Sequence, residues 1–308
     1  MAQRTRLTEP PAARFYRQKI GEVELIALSD GGINYPTAMI LGNVPPEGVS
    51  LYNLPEVQIF IPYTVLLVKT KDRLVLNDVG AGDLGNPGDK IFPGLDHTTS
   101  RTNLVLPSLE AAGIDPKDVD TILITHAHPD HVGGLFDAEG NLAFPNARYY
   151  VVQEEWDYWM SADPSAVEAE ALRHHLELLV HEAKRAFHAI ADQVTLMQGG
   201  EEIVPGVQFE ATYGHTPGHA MVSIAAGDKK VYNISDVVVD PLFVAHPEWA
   251  PAIDMDAGQA DDTRRRFYAQ AAEENALVFA HHLGPFPNLG RIVTKGDAWQ
   301  WQPIETGG

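Results

Sequence analysis

Between Thr125 and Gly134 the chain reads Thr-His-Ala-His-Pro-Asp-His-Val-Gly-Gly, which places three imidazoles and a carboxylate within six positions. A borderline-soft dication such as zinc accepts imidazole nitrogen and carboxylate oxygen at about 2.0–2.2 Å. His126 and His128 are two apart and leave an extended backbone on the same side, while Asp130 and His131 come from the turn that follows. Gly133 and Gly134 permit the tight backbone needed there. Four such groups in so short a loop repel or desolvate one another without a cation. The plain alternative is a histidine-rich surface loop. The run Val119-Asp120-Thr121-Ile122-Leu123-Ile124 argues against it, because it predicts a buried strand directly before the cluster. The cluster then sits at a strand's C-terminal end, where open α/β sheets keep their sites.

The elements that must position the cluster can be read in chain order. Residues 1–18 read as an N-terminal arm, and Gly21 to Gly32 as a strand ending in a turn, with Asp30 as a turn-former. From 34 to 58 the chain carries Pro36, Pro45, Pro46 and Pro55 among apolar residues, the pattern of a lid or a dimer loop. Strands are predicted from Ile59 to Lys69 and from Arg73 to Leu76, the second closing on Asn77-Asp78-Val79-Gly80-Ala81-Gly82. That turn lacks the lysine and hydroxyl residue of a phosphate-binding loop. A helix is expected over 101–113 and a strand over 147–152, then one long helical region from about Glu154 to Ala191. His181-Glu182 opens like a zinc-protease helix, but Arg185 stands at the partner position and the motif fails. His174, His181 and His188, seven apart, read as a solvated stripe. Further strands are expected near 194–197, 207–211, 230–235 and 276–280.

The histidine segment resembles the HxHxDH signature of the metallo-β-lactamase superfamily. The resemblance implies an α/β class fold, a four-layer αβ/βα sandwich of two βα halves with the metal site at the sheet edges, here one domain over 1–308. Later segments match the remaining positions in order. Tyr213-Gly214-His215-Thr216-Pro217-Gly218-His219 resembles the GHTPGH motif, with His215 as ligand and His219 in a supporting role. Asp236 falls where the superfamily has its bridging carboxylate, and Asp78 where a carboxylate underlies the metal loop. His281-His282-Leu283-Gly284-Pro285-Phe286-Pro287-Asn288-Leu289-Gly290 resembles the HxPFPGxG segment of the lactonase and methyl parathion hydrolase branches, with an inserted Gly284 and Asn288 in place of glycine. His282 is the expected ligand and His281 the fallback.

The resemblance further implies two divalent metals, zinc foremost, with iron, manganese or cobalt as substitutes. His126, His128 and His215 would hold one, Asp130, His131 and His282 the other, and Asp236 would lie between them. A metal-bridging hydroxide would open lactones of the acyl homoserine lactone kind or related esters, with Asp130 and Asp236 catalytic and phosphotriesterase activity as a side reaction. An organophosphate hydrolase, a glyoxalase II-like thioesterase and a metal-dependent small-molecule sensor are the alternatives. The thioesterase reading expects basic residues near the C-terminus, where this chain is acidic and aromatic. Many relatives place a tyrosine three residues after the bridging aspartate, where this chain has Val239. Tyr213 or Tyr232 could substitute, and Trp249, Phe286 and Tyr213 are candidates to line a substrate pocket.

Composition narrows the partners. With 42 acidic against 22 basic residues the net charge is −20, a field that repels phosphate backbones and disfavours nucleic acid. Absence of cysteine removes disulfides and thiolate ligands together. No run approaches a membrane span and the N-terminus has no apolar signal region, so a cytoplasmic protein with a small-molecule ester or lactone substrate is expected, with a homodimer contact at the lid.

Overall fold

Strands buried on both faces read as continuous apolar runs, and Thr64-Val65-Leu66-Leu67-Val68 is such a run. In the computed structural model, which describes residues 12–52, 54, 57–84 and 100–306, Leu66 and Val68 point into one core and Val65 and Leu67 into another. The strand that carries them, β3 (Gln58–Lys69), is third in a seven-stranded sheet. Its order follows the chain: β1 (Phe15–Ile20), β2 (Val23–Pro36), β3, β4 (Leu74–Asn77), β5 (Thr121–Ile124), β6 (Arg148–Val152) and β7 (Val194–Met197). The first four pair antiparallel and the last four parallel.

The second sheet also has seven strands: β8 (Glu202–Val204), β9 (Val207–Ala211), β10 (Ala220–Ala226), β11 (Lys229–Asn233), β12 (Leu277–Phe279), β13 (Leu289–Lys295) and β14 (Ala298–Pro303). It is antiparallel except for β11 beside β12. The sheets face each other across Leu25, Leu66, Val75 and Leu123 from one side and Val222, Ile224 and Phe279 from the other. The outer face of the first sheet is covered by α3 (Val105–Ala111), α5 (Gln153–Ser161) and α6 (Glu170–Ile190), and that of the second by α7 (Pro241–Ala245) and α8 (Ala257–Glu273). Helix, sheet, sheet, helix is the expected four-layer αβ/βα sandwich. None of the described helices is long and apolar enough to cross a membrane.

Several boundaries differ from the sequence reading. The arm expected over 1–18 is strand from Phe15 onward, with residues 1–11 outside the described residues. Within 34–58, α1 (Thr37–Leu41) and α2 (Pro46–Leu51) replace an irregular loop, while Asn53, Pro55 and Glu56 lie outside the described residues. The helix expected over 101–113 begins only at Val105. The long helix over 154–191 is two, because Asp163 caps a turn at Pro164 and the chain re-enters a helix at Glu170. His174, His181 and His188 are exposed on α6.

What positions the site is an overhang. Leu66 pairs with Asn77 at the end of β4, so β3 before Leu66, together with β2 after Ala27, runs past the sheet edge. The motif loop after β5, which runs into the short α4 (Pro129–Val132), the turn after β11 and the turn after β12 emerge at this edge.

Candidate metal centre

Buried carboxylates fix the loops before any metal is considered. Asp78, in the left-handed region at φ 61°, accepts from the Thr125 amide at 2.8 Å, from its hydroxyl and from His131 Nδ1 at 2.9 Å. Aspartate tolerates that backbone better than most residues. Asp30, expected to form a turn, instead accepts from the amides of Ala81, Leu104 and Val105 and ties the glycine turn to α3. Burial pushes its carboxyl up to about 7 against the pull of those donors. Glu155 receives the Ala127 amide at 2.9 Å and Trp159 Nε1 at 2.6 Å on one oxygen, and the Thr216 hydroxyl at 2.6 Å and Gly218 amide at 3.1 Å on the other. Gly134 serves close approach: a Cβ there would lie 2.1 Å from the Val79 carbonyl oxygen.

Above these anchors seven side chains converge. His128 Nδ1 lies 2.9 Å from His215 Nε2 and 3.2 Å from His126 Nε2. His131 Nε2 is 3.2 Å from Asp236 Oδ1, and His282 Nε2 is 3.2 Å from Asp236 Oδ2 and 3.3 Å from Asp130 Oδ2. Asp236 Oδ2 is also 3.3 Å from His215 Nε2. Two groups emerge whose ligand atoms lie within 4.8 Å of one another: His126, His128 and His215, and Asp130, His131, His281 and His282, with Asp236 adjoining both through His126 and His131. All seven expected ligands are brought together. His281 also falls within range, but it stacks on His131 at 4.2 Å, whereas His282 turns its Nε2 to both aspartates.

The tautomers show which atoms face the centre. His131 gives its Nδ1 proton to Asp78, His215 to Asp254 at 2.9 Å, and His282 to the Pro62 carbonyl at 3.0 Å. A neutral imidazole so engaged turns a lone pair from Nε2 toward the aspartates. His131 Nε2 and Asp236 Oδ1 are buried without a hydrogen-bond partner. Lone pairs aimed at carboxylates repel unless a proton or a cation lies between them, so this donor set fits divalent metal.

Electrostatics divides the cluster. Burial, then the neighbouring imidazoles, hold His126 and His128 well below the ordinary histidine range, neutral and ready to donate electron pairs. Burial works in the same direction on His215 and His282, but the facing aspartates outweigh it and lift both to about 9. Burial would raise Asp130 and Asp236, yet the adjacent histidines pull both below the carboxylate range. His219, pressed down to about 3 by burial first and by His215, donates Nδ1–H to the Thr212 carbonyl and accepts the Asp236 amide at 3.2 Å on Nε2.

The profile of the metallo-beta-lactamase superfamily matches residues 61–282, more than half of the chain. The chain belongs to the metallo-beta-lactamase superfamily. Among curated relatives, an N-acyl homoserine lactonase of a Bacillus species is 28% identical over 173 residues, 53% of this chain and 58% of the relative, so the chain spans little over half of that protein. Among solved structures, the dizinc quorum-quenching lactonase AidC superposes with a TM-score of 0.84 at 28% identity, covering 96% of this chain and 99% of that one. The hydrolase AbOPH superposes at 0.83 and 28% identity, covering 97% and 100%.

In this superfamily member the centre lies at the floor of a cavity of about 540 Å³. Asp130, Asp236 and His282 form part of the floor, with Met39 and Ile40 of α1, Ile61 of β3, and Leu176 and Leu179 of α6 among the walls. The expected pocket residues lie elsewhere. Trp249 stacks on His246 at 3.8 Å, Phe286 packs between the sheets under the Arg14 guanidinium, and Tyr213 gives its carbonyl to Thr263. Tyr232 bonds Glu274 on the far side of the second sheet, so neither tyrosine considered as a substitute at Val239 faces the cavity. Val239 itself lines it, as does Tyr63, whose hydroxyl pairs with that of Tyr35. The departure at Asn288 has a local reason: its φ is 60°, the left-handed region that glycine also adopts, and its side chain donates to the His281 carbonyl.

Sequence reasoning missed Asp254, Arg264 and Glu155 in their supporting roles. Asp254 holds His215 and pairs with the buried Arg264 at 2.8 Å. Their signal was present in the types, since a buried charge needs a partner, but nothing in the spacing joins them to residues 215 or 127.

Proposed function

We propose that the chain is a dinuclear metal-dependent hydrolase that opens lactones of the acyl homoserine lactone class. The observation that carries this reading is the pair of adjoining ligand clusters, with its unpartnered His131 Nε2 and Asp236 Oδ1, at the floor of an apolar-walled cavity. His126, His128 and His215 would hold one cation and Asp130, His131 and His282 the other, with Asp236 between. Two such cations, zinc foremost, supply a water whose pKa is lowered from 15.7 toward about 7.

The chain's own groups account for the rest. Asp254, braced by Arg264, fixes the His215 ring, and Asp78 and the Pro62 carbonyl do the same for His131 and His282. His219 holds the Asp236 backbone, orienting the carboxylate that would lie between the cations. Asp130 is the more exposed of the two floor carboxylates, at 14% side-chain exposure, and would receive the proton of the attacking water and return it to the leaving alkoxide. The apolar walls, to which the 34–58 segment expected as a lid or dimer loop gives Met39 and Ile40, would exclude water and match an acyl chain.

The similarity to AidC, a dizinc quorum-quenching lactonase, supports this substrate class. Phosphotriester hydrolysis stays as the second reading, on the resemblance of the His281–Gly290 segment to the methyl parathion hydrolase branch. The test is to quantify metals in the isolated protein and measure kcat/KM for a long-chain acyl homoserine lactone beside an aryl phosphotriester. Two metals per chain and a strong lactone preference are expected. The reverse preference would move the protein to the second reading, and two metals without turnover of either would refute both.

A further inference from the structure

An ionised carboxylate has about four lone-pair sites, and burying it is tolerable only when donors fill them. Glu155 is fully buried in the first turn of α5 and has four donors, two on each oxygen. Their origins are what matter. One oxygen takes the amide of Ala127, which lies between His126 and His128. The other takes Thr216 and Gly218, which follow His215 in the opposite half of the molecule. Gly218 is where the second loop docks on α5, since a Cβ there would lie 2.1 Å from the Glu155 amide nitrogen. A single side chain therefore spans the two loops that contribute the three-histidine cluster. The other cluster is braced differently, with His131 on Asp78 and His282 on the Pro62 carbonyl.

We propose that Glu155 is the positioning residue that sets the separation of His126 and His128 from His215, and through it the metal affinity of the three-histidine cluster but not of the Asp130–His131–His282 cluster. The proposal rests on the reading of the site as a dinuclear metal centre. Glutamine at 155 keeps the shape but turns an amide N–H₂ toward two donors, so one loop loses its anchor.

The test uses the full-length, zinc-loaded protein with Glu155→Gln and the milder Thr216→Val, which removes one donor and keeps the carboxylate. Metal per chain is measured after dialysis against graded chelator, and cobalt-substituted samples are followed by visible absorption to identify the cluster that empties. In Glu155→Gln one metal should leave at chelator concentrations about tenfold to a hundredfold lower than in wild type. The cobalt bands lost should be those of the three-histidine cluster, and the second metal should hold. Thr216→Val should shift the same metal by less, with a smaller loss of melting temperature than Glu155→Gln. Both metals weakening by the same factor would overturn the proposal, because that is what general loosening of the fold produces. Unchanged retention in Thr216→Val would overturn it as well, whether or not Glu155→Gln folds. Wild-type protein that binds no divalent metal would instead refute the metal-centre reading, and Glu155's role with it.

Discussion

The floor and the walls of the cavity are built on different principles. At the floor each imidazole has its second nitrogen committed or its loop anchored, and the side chains of Asp78, Glu155 and Asp254 are themselves buried and hydrogen-bonded. The walls are mostly apolar side chains from β3, α1, α6 and the 252–255 turn, set largely by packing, with the paired hydroxyls of Tyr35 and Tyr63 among them. Directional bonds tolerate little displacement, whereas van der Waals walls can be reshaped at modest cost. The floor should therefore determine whether the reaction runs and the walls which substrate it runs on.

The strongest challenge to that division is Asp236→Ala. It removes the carboxylate lying between the clusters, and the several kcal/mol that paired cations supply correspond to about a thousandfold in kcat, together with loss of metal. Steady-state kinetics with metal analysis checks both, and near-normal turnover with two metals retained would break the comparison. Asp254→Asn should act one layer out, lowering kcat/KM by about ten- to a hundredfold. It should also lower the urea midpoint, because buried Arg264 loses its ion-pair partner.

Metal removal gives a pH signature of the floor. In the metal-free chain His215 and His282 stand near 9, raised from 6.5 by the facing aspartates. A histidine raised on folding contributes stability that is fully present below its unfolded pKa and is lost as pH rises through its folded value. Chelated protein should therefore lose melting temperature between about pH 6.5 and 9, while zinc-loaded protein keeps it, a cation having replaced the protons. Melting curves with and without chelator at pH 6 and pH 9 measure the gap, which should widen with pH.

Wall substitutions should be smaller and selective. Leu179→Ala enlarges the cavity and should move the preferred acyl chain length upward, changing the ratio of kcat/KM between long and short lactones by about tenfold with metal content intact. Phe286→Leu, packed between the sheets, should alter melting temperature and leave chain-length preference untouched. A changed preference there would mean that the walls extend further than the cavity lining shows.

The same division explains what could be read in advance. His126 through His131 lie in one short run at a strand end and were legible from residue type and spacing, whereas His215, Asp236 and His282 were expected through the resemblance to later superfamily motifs; the structure brings all seven together. Trp249, Phe286 and Tyr213 were placed in the pocket on aromatic character alone, and aromatic character serves core packing equally well. The break at Asp163-Pro164, read over in the sequence as one continuous helical region, lets α6 restart and brings Leu176 and Leu179 over the floor.

By itself the sequence determined most strands and the His126–His131 cluster, because apolar runs and strand-end motifs are local properties of the chain, while the four-layer arrangement and the later ligand positions came through the resemblance those motifs carry. The tertiary structure decided that Glu155 reaches Ala127 and Gly218, that Asp254 meets both His215 and Arg264, and that α1, β3 and α6 enclose one cavity. Those pairings join residues from 10 to 140 positions apart by sequence number. Such contacts are fixed by how the two sheets pack, and no local pattern records that.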